Sequence, residues 1–177
     1  IRLIRAKAKL EPKKIIYTEA DRLDVLKAAQ IVCEEGIGIP ILMGRIDRIK
    51  KLMKEIDFKH KLKIIDLSHE KSNKKIERFG KIFFKERKNK GLTLSQATKL
   101  MRARDYFASM MVKTGKADAL ISGYSRSYPE VVKPILKVIG KAKGVRKIAA
   151  TNLMLTSKGP IFLSDTSINI DPDYNDL

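Results

Sequence analysis

Short apolar runs alternate with amphipathic helical patterns along most of the chain, and this alternation constrains the fold more than any other feature. Strands are predicted at residues 15–18, 39–44, 63–67 and 117–123. Between these runs, apolar residues recur at helical spacing. Strands separated by helices are joined by crossover connections, so the sequence predicts an α/β fold with a mostly parallel sheet and helices on both faces, in three layers.

Boundary residues indicate where several of the helices begin and end. Asp21 is expected to cap the first helix that follows a strand, and Gly36 suits its exit. Thr93 opens a later helical pattern, which continues through apolar residues to a break at Gly115. The sequence therefore predicts one helix from residue 93 to residue 115.

The stretch after residue 123 carries the clearest helix start. Ser127 and Glu130 have the spacing of a capping box, in which two free N–H groups are satisfied reciprocally. Pro134 lies inside the pattern and is expected to bend the helix or delay its start. The apolar stripe predicted to face inward comprises Val131, Ile135 and Ile139.

The pattern changes near residue 145, where strand and helix no longer alternate. Two strand-like segments, 152–156 and 161–164, flank the sequence Ser-Lys-Gly-Pro, which predicts a hairpin. We therefore expect a second subdomain to begin here.

Both ends of the chain indicate a fragment of a longer protein. Asp171-Pro172 is typical of a helix start that has little chain left to follow it, and the first residue is Ile1 rather than Met. The expected parts are a lead-in from a preceding domain at 1–13, an α/β subdomain at 14–144 and the start of a truncated second subdomain at 145–177.

The formal net charge of +18 raises the question of nucleic-acid binding. The lysines are dispersed among acidic residues, aromatic residues make up 6% of the chain, and neither an RNA-binding aromatic signature nor zinc-finger spacing is present. We expect no specific nucleic-acid partner. Residues 133–147 carry six cations and no acid, which suits either a phosphorylated ligand or a solvated surface.

Several other kinds of site are not expected. Cys33 is the only cysteine, which excludes an intrachain disulfide and favours a small buried apolar role. His60 and His69 stand in charged surroundings typical of surface histidines, so no catalytic residue is assigned. No apolar stretch is long enough for a membrane span, and we expect a cytoplasmic protein without a membrane partner. No metal site is expected from the acids near the C-terminus, whose spacing matches no calcium loop: Asp165, Asp171, Asp173 and Asp176.

Three turns after predicted strands have the position at which helix N–H groups bind phosphate: residues 19–21, 44–45 and 123–127. The turn at 123–127 is the best candidate, because it contains Gly, Ser and Arg and leads into a capped helix. An ordinary connection between a strand and a helix explains the same residues. The turn alone does not decide between these readings.

Four blocks of the sequence resemble the phosphate acetyl- and butyryltransferase family in order and spacing. They are residues 13–44, 117–123, 127–140 and 159–172. Within that family, the lead-in RAKAKLEPKK and the turn SRSYPEVVKP are most similar to the transacetylase-like C-terminal region of NADP-dependent malic enzymes. The resemblance implies the same α/β fold.

The resemblance also implies a ligand, coenzyme A, and residues that contact it. Arg87 and Lys133 match two arginines linked to coenzyme A binding, and Ser125, Arg126 and Ser127 form the adjoining turn. The family's acyl-transfer residues lie in a later segment that this chain does not include, so none is carried over. Two solvated surface cations remain the alternative for Arg87 and Lys133.

The leading hypothesis is a regulatory domain that binds acetyl-CoA and alters the oxidative decarboxylation of malate by the rest of a homo-oligomeric parent protein. NADP and a divalent metal would belong to the parent's catalytic domain. One alternative is a phosphate acyltransferase that moves an acyl group between coenzyme A and phosphate. A nucleic-acid-binding or purely structural module is the other.

Overall fold

The computed structural model describes residues 2–164 and 168–169, which contain seven α-helices and six β-strands. Two short 3₁₀ helices lie at Glu70–Ser72 and Lys88–Lys90. In chain order the elements are α1 (Arg2–Leu10), β1 (Lys13–Tyr17), α2 (Leu23–Glu34), β2 (Gly38–Met43), α3 (Ile46–Glu55), β3 (Lys63–Ile65), α4 (Asn73–Arg87), α5 (Leu94–Leu100), α6 (Arg104–Lys113), β4 (Ala119–Ile121), α7 (Tyr128–Val138), β5 (Thr151–Thr156) and β6 (Gly159–Ser164).

The first four strands form one parallel sheet in the order β3-β2-β1-β4. Ile16 of β1 is in register with Ile41 of β2 on one side and with Leu120 of β4 on the other. This sheet confirms the α/β prediction, and all four predicted strands are present.

Successive strand residues point to opposite faces of the sheet, and each face is covered by helices. Ile16, Ile41 and Ile65 belong to one buried cluster, which they share with residues of α4, α5, α6 and α7. Tyr17 and Leu42 belong to a second cluster with residues of α2 and α3. The three-layer arrangement is therefore confirmed, and it explains why the strands read as continuous apolar runs.

Two of the predicted helix boundaries are confirmed and one is wrong. Gly36 follows α2 with φ of +67°, a conformation that favours glycine. Thr93 caps α5 through a capping box with Gln96, with N–H···O distances of 3.0 and 3.2 Å. Asp21 does not cap α2, because its carboxylate is held by Arg104 instead.

The helix predicted from residue 93 to residue 115 is two helices, α5 and α6, separated by a turn. Met101 and Phe107 flank the turn and are both fully buried. Apolar periodicity is therefore preserved across the break, and for this reason the sequence pattern does not reveal the break. The turn brings Arg104 and Asp105 to the start of α6, where both make long-range ion pairs.

Helix α7 begins as predicted, with the Ser127–Glu130 capping box, but its buried face differs from the predicted stripe. The buried residues are Val131, Pro134 and Val138, whereas Ile139 is 40% exposed. The start of the helix is not delayed by Pro134, which lies within α7. The proline ring is apolar, so it packs on the buried face at the cost of one main-chain hydrogen bond.

The chain divides into two compact units, residues 2–139 and a segment from residue 140 onward. In the second unit, β5 and β6 pair antiparallel from Thr151↔Ser164 to Thr156↔Gly159, which confirms the predicted hairpin. The helix predicted at Asp171-Pro172 and the acids from Asp165 to Asp176 lie outside the described residues.

Candidate functional site at the carboxyl edge of the sheet

All four strands of the parallel sheet end at the same edge, so the loops that follow them lie together. Strand β2 lies on one side of β1 and β4 on the other, which makes the gap between the ends of β1 and β4 the point where the strand order reverses. Open α/β sheets bind ligands at such a reversal. A cavity of about 600 Å³ opens beside this point and is lined by side chains of β1, α2 and the loop after β4.

Glu19 lies two residues after the end of β1, and its side chain fills the turn that follows β4. Its carboxylate accepts backbone N–H hydrogen bonds from Gly123 at 3.1 Å, Tyr124 at 2.8 Å and Ser125 at 3.3 Å. The Ser125 hydroxyl also donates to Glu19. Successive backbone N–H groups that converge on one anion form a nest, and here the anion belongs to the protein.

The surroundings of Glu19 favour its charged form. The residue is 5% exposed, and burial by itself raises the pKa of its carboxyl group. Hydrogen bonds from Ser125, Tyr124 and Gly123, together with the charge of Arg126, outweigh burial and leave the pKa below its ordinary value. Glu19 is therefore a stable anion inside the turn.

A second buried acid, Asp105 at the start of α6, holds the next residue of the turn. Arg126 donates to both carboxylate oxygens of Asp105, one of them at 2.8 Å. Ser122 donates to the same carboxylate at 2.7 Å and accepts from Thr18 at 2.8 Å. The interaction is bidentate, and the Asp105 side chain is 2% exposed whereas the Arg126 side chain is 33% exposed, so the carboxylate is desolvated and the guanidinium is in contact with solvent.

A second ion pair joins the loop after β1 to the start of α6. Arg104 donates to the two oxygens of Asp21 at 2.8 and 2.7 Å and to the Thr18 carbonyl at 3.2 Å. Burial raises the pKa of Asp21, but the hydrogen bonds and charge of Arg104 outweigh it and lower the pKa. A Cβ on Gly44 would lie 2.9 Å from the Asp21 carboxyl carbon, so this approach requires glycine.

Asp66, after β3, completes the row of acids at this edge. It accepts from the Ile46 N–H at 2.9 Å and from the Ser68 N–H at 2.9 Å, and so caps the start of α3. The cavity beside it has a volume of about 440 Å³, and its charged lining residues are Arg45, Asp66, Arg102 and Arg104.

The three predicted ligand residues of the turn after β4 lie together at this edge, and each has a partner within the protein. Ser125 is bonded to Glu19, Arg126 to Asp105 and Ser127 to Glu130. The turn amides that were expected to be available for a phosphate are occupied by the Glu19 carboxylate.

Arg87 and Lys133 lie on different helices, α4 and α7, and both act electrostatically on Tyr106 of α6. Burial raises the pKa of the Tyr106 phenol, and the positive charges of Lys133 and Arg87 both oppose that rise. Lys133 is exposed. Arg87 is partly buried and donates to the Lys137 carbonyl in the last turn of α7, so it also satisfies a free carbonyl at the helix end.

The residues that organise this edge were not predicted from the sequence. Asp105 and Arg104 lie in the interior of the single helix predicted from 93 to 115, where no ion pair was expected. Asp21 was expected to be a helix cap, and Glu19 was noted only as part of a turn. The available signal was an acid at or near the end of each of two strands, Glu19 after β1 and Asp66 after β3, because residues that follow parallel strands share one edge of the sheet.

Other predicted features lie away from this edge. His60 and His69 are exposed, as predicted. Cys33 is half-buried rather than buried, and burial raises the pKa of its thiol. Among residues 2–164 and 168–169, no cluster of His, Cys, Asp and Glu has the arrangement of a metal site. No helix in the same part of the chain is long and apolar enough to span a membrane.

A doubly wound α/β domain with a polar site at its carboxyl edge is thus defined, and comparison with known proteins gives its family. The chain belongs to the phosphate acetyl/butaryl transferase family, whose model matches residues 1–177. A phosphate acetyltransferase of Thermoanaerobacterium thermosaccharolyticum is 32% identical over the whole chain and 55% of its own length. An NADP-dependent malic enzyme of Haemophilus influenzae is 30% identical over the whole chain and 24% of its own length.

The solved structures agree with the fold. The crystal structure of a phosphotransacetylase from Streptococcus pyogenes matches with a TM-score of 0.85 and 27% identity, over 99% of this chain and 54% of that one. The chain therefore spans about half the length of the phosphate acetyltransferase relative and about a quarter of the malic enzyme. The resemblance read from the sequence is confirmed at the level of the family.

Proposed function

We propose that this chain is the transacetylase-like regulatory region of an NADP-dependent malic enzyme and that it binds acetyl-CoA as an effector. The observation that carries the proposal is the state of the turn after β4. Its two serines and its arginine are bonded to Glu19, Asp105 and Glu130. Because these side chains are already hydrogen-bonded within the protein, the turn suits a site that binds acetyl-CoA without transferring its acyl group.

Coenzyme A carries phosphates that require cations, and Arg87 and Lys133 would supply two of them. Lys133 offers a mobile point charge, whereas a planar guanidinium bonds phosphate in two places. Arg87 has one N–H group on the Lys137 carbonyl and keeps further donors on the same guanidinium. Bound coenzyme A would also contact the turn formed by residues 125–127.

The remaining parts of the proposed protein follow from the malic-enzyme relatives. NADP and a divalent metal would be held by a separate catalytic domain and would take part in malate oxidation there. Acetyl-CoA would alter that activity by binding more tightly to one of two conformational states of a homo-oligomer. A ligand that binds both states with equal affinity does not shift the equilibrium between them.

A second candidate, a phosphate acyltransferase, is favoured by a different observation. The phosphate acetyltransferase of T. thermosaccharolyticum and the S. pyogenes phosphotransacetylase both align with essentially the whole chain. In that case the chain would form part of the enzyme, and acyl-transfer residues would come from sequence beyond it.

Two assays on the full-length protein separate the candidates. Malate-dependent reduction of NADP is measured against acetyl-CoA concentration, and acetyl phosphate formation is measured from acetyl-CoA and phosphate. We expect a saturable change in malate oxidation and no acetyl phosphate above the buffer control. Acetyl phosphate formation without malate oxidation would replace the first candidate by the second.

Site variants test whether the response passes through the proposed cations. Lys133→Ala and Arg87→Ala are expected to shift the acetyl-CoA response to higher concentration, with malate oxidation unchanged in its absence. Lys137→Ala removes a charge one turn further along α7 and is the control for Lys133. Lys113→Ala is the control for Arg87, because Lys113 also bonds an α7 carbonyl, that of Val138, at 2.8 Å. If each variant and its control shift the acetyl-CoA response equally, Arg87 and Lys133 only stabilise α7 and do not bind the ligand.

A further inference from the structure

A narrow slot opens at the edge of the sheet opposite the one described above, beside the first residue of β3. Its floor is apolar and consists of Ile65, Phe79, Phe107 and Met111, from β3, α4 and α6. These four side chains belong to the main buried cluster. The slot is therefore an inlet into the core between the sheet and two helices.

The rim of the slot is formed by cations only. The charged lining residues are Lys63, Lys75, Arg78 and Lys116, and all four are exposed. None of them takes part in an ion pair found among the described residues. The neighbouring acid, Asp118, accepts the Lys14 backbone N–H at 2.7 Å and does not line the slot.

The cations at this rim repel one another. Partial burial lowers the pKa of Lys63 first, and the charges of Lys75, Lys14 and Lys116 lower it further. A lowered lysine pKa means that the folded protein disfavours the protonated form at this position. An anion placed among these groups would remove that penalty.

We propose that this slot binds a small amphipathic anion, a carboxylate with a short apolar tail. The tail would lie on Phe79, Phe107 and Met111, and the carboxylate would remain among the rim cations. The slot has a volume of about 90 Å³. At about 10–15 Å³ for each water-sized sphere, that space suits a ligand of roughly six to nine non-hydrogen atoms.

The chemistry of the lining separates this ligand from other anions. Inorganic phosphate would gain the charges but leave the apolar floor unfilled. A neutral alcohol of the same length would fill the floor and leave the repulsion among the cations in place. Only a ligand that has both parts satisfies both surfaces, and each buried CH₂ group adds about 0.8 kcal/mol of hydrophobic stabilisation, a factor of about four in affinity.

Calorimetric titration of the full-length protein tests the proposal with hexanoate, 1-hexanol and inorganic phosphate as probes. We expect saturable hexanoate binding at least about ten-fold tighter than binding of either other probe. Lys63→Gln and Lys116→Gln should each weaken hexanoate binding about three-fold, the scale of one partly exposed charge pair. Lys81→Gln and Lys85→Gln on α4, two exposed lysines outside the slot, should leave it unchanged.

Urea unfolding of each variant shows whether a loss of hexanoate binding results from a loss of stability. Lys63→Gln removes a repelled charge, so its unfolding midpoint is expected to equal or exceed that of the unsubstituted protein. Equal binding of hexanoate and hexanol, equal binding of hexanoate and phosphate, or equal effects of the rim and control variants would overturn the proposal. The proposed acetyl-CoA site lies elsewhere, so Lys63→Gln and Lys116→Gln should leave the effect of acetyl-CoA on malate oxidation unchanged. Failure of the hexanoate proposal is therefore distinguishable from failure of the proposed function.

Discussion

At the scale of single residues, one carboxylate decides the state of the turn after β4. Glu19 accepts three backbone N–H groups from a segment about a hundred residues away in the sequence. An external phosphate would compete for the same donors. The turn is consequently held in one conformation by the protein itself.

Replacing Glu19 is expected to loosen this turn. Glu19→Ala leaves the part-buried N–H donors of Gly123, Tyr124 and Ser125 without their acceptor, and a hydrogen bond to a charged group contributes about 1.5–3 kcal/mol. Because water and neighbouring groups take over some of these bonds, we expect the free energy of unfolding to fall by about 2–4 kcal/mol in total. Urea denaturation measures it, with Glu55→Ala, an exposed acid on α3, as the control. A loss equal to that of the control would show that the nest contributes nothing to stability.

The Asp105–Arg126 pair gives a second prediction at this scale. Arg126→Ala leaves a buried carboxylate without its cation and should cost about 3 kcal/mol. Removing the charge of Asp105 as well, in Asp105→Asn/Arg126→Ala, should recover part of that loss. The two single variants and the double variant form a thermodynamic cycle measured by urea denaturation. Additive effects would contradict a direct interaction between these side chains.

At the scale of elements, the close approach of α4 and α5 depends on one glycine. A Cβ on Gly80 would lie 2.6 Å from the Thr98 hydroxyl oxygen and 2.8 Å from the Thr98 Cα. The second contact involves backbone and cannot be relieved by rotating a side chain. The two helices therefore pack together only while residue 80 has no side chain.

Gly80→Ala is expected to destabilise the protein although alanine is the better helix former. Helix propensity favours alanine by about 1 kcal/mol, whereas overpacking costs about 1–3 kcal/mol and also displaces backbone here. We expect a net loss of about 1–2 kcal/mol, measured by thermal or urea unfolding. Thr98→Ala should not rescue the variant, because the contact with the Cα remains. A stabilised Gly80→Ala protein would mean that α4 and α5 lie further apart.

The elements of the parallel sheet could be predicted from the sequence because helices cover both faces of that sheet, so its strands are apolar runs, and most of the helices between them are amphipathic. The break between α5 and α6 could not, since Met101 and Phe107 continue the same period through it. The buried face of α7 was also missed, because Pro134 serves as an apolar contact in addition to its effect on the backbone.

The candidate site was predicted less completely than the fold. The turn after β4 was located from its Gly, Ser and Arg residues. Its partners Glu19 and Asp105 belong to other parts of the chain. The spacing of residues along the sequence does not reveal contacts between residues that are far apart in it.

At the scale of the whole molecule, three acids at the carboxyl edge make stability depend on pH. Burial raises the pKa of Glu19, Asp21 and Asp66, but hydrogen bonds and neighbouring charges outweigh burial and lower each pKa below its ordinary value of 4.5 or 3.8. A lowered pKa in the folded state contributes stability above the ordinary value and loses it as the pH falls through the lowered value. We expect the urea midpoint to decrease below about pH 4.5.

Comparison with Glu19→Gln isolates one of these acids from the general repulsion of a highly cationic protein. The variant should be less stable near neutral pH and should lose less stability between about pH 5 and pH 3 than the unsubstituted protein. Parallel pH profiles for the two proteins would show that Glu19 titrates alike in the folded and unfolded states.

We propose that the full-length protein binds acetyl-CoA through Arg87 and Lys133. Calorimetric titration of acetyl-CoA measures this directly for the unsubstituted protein, Arg87→Ala/Lys133→Ala, and the control Lys113→Ala/Lys137→Ala. We expect saturable binding that weakens with added salt and is about ten-fold weaker in the first variant, equivalent to one hydrogen bond to a charged group at about 1.5 kcal/mol. The control should bind like the unsubstituted protein. Absence of binding by the unsubstituted protein, or identical affinity in all three proteins, would contradict the proposal.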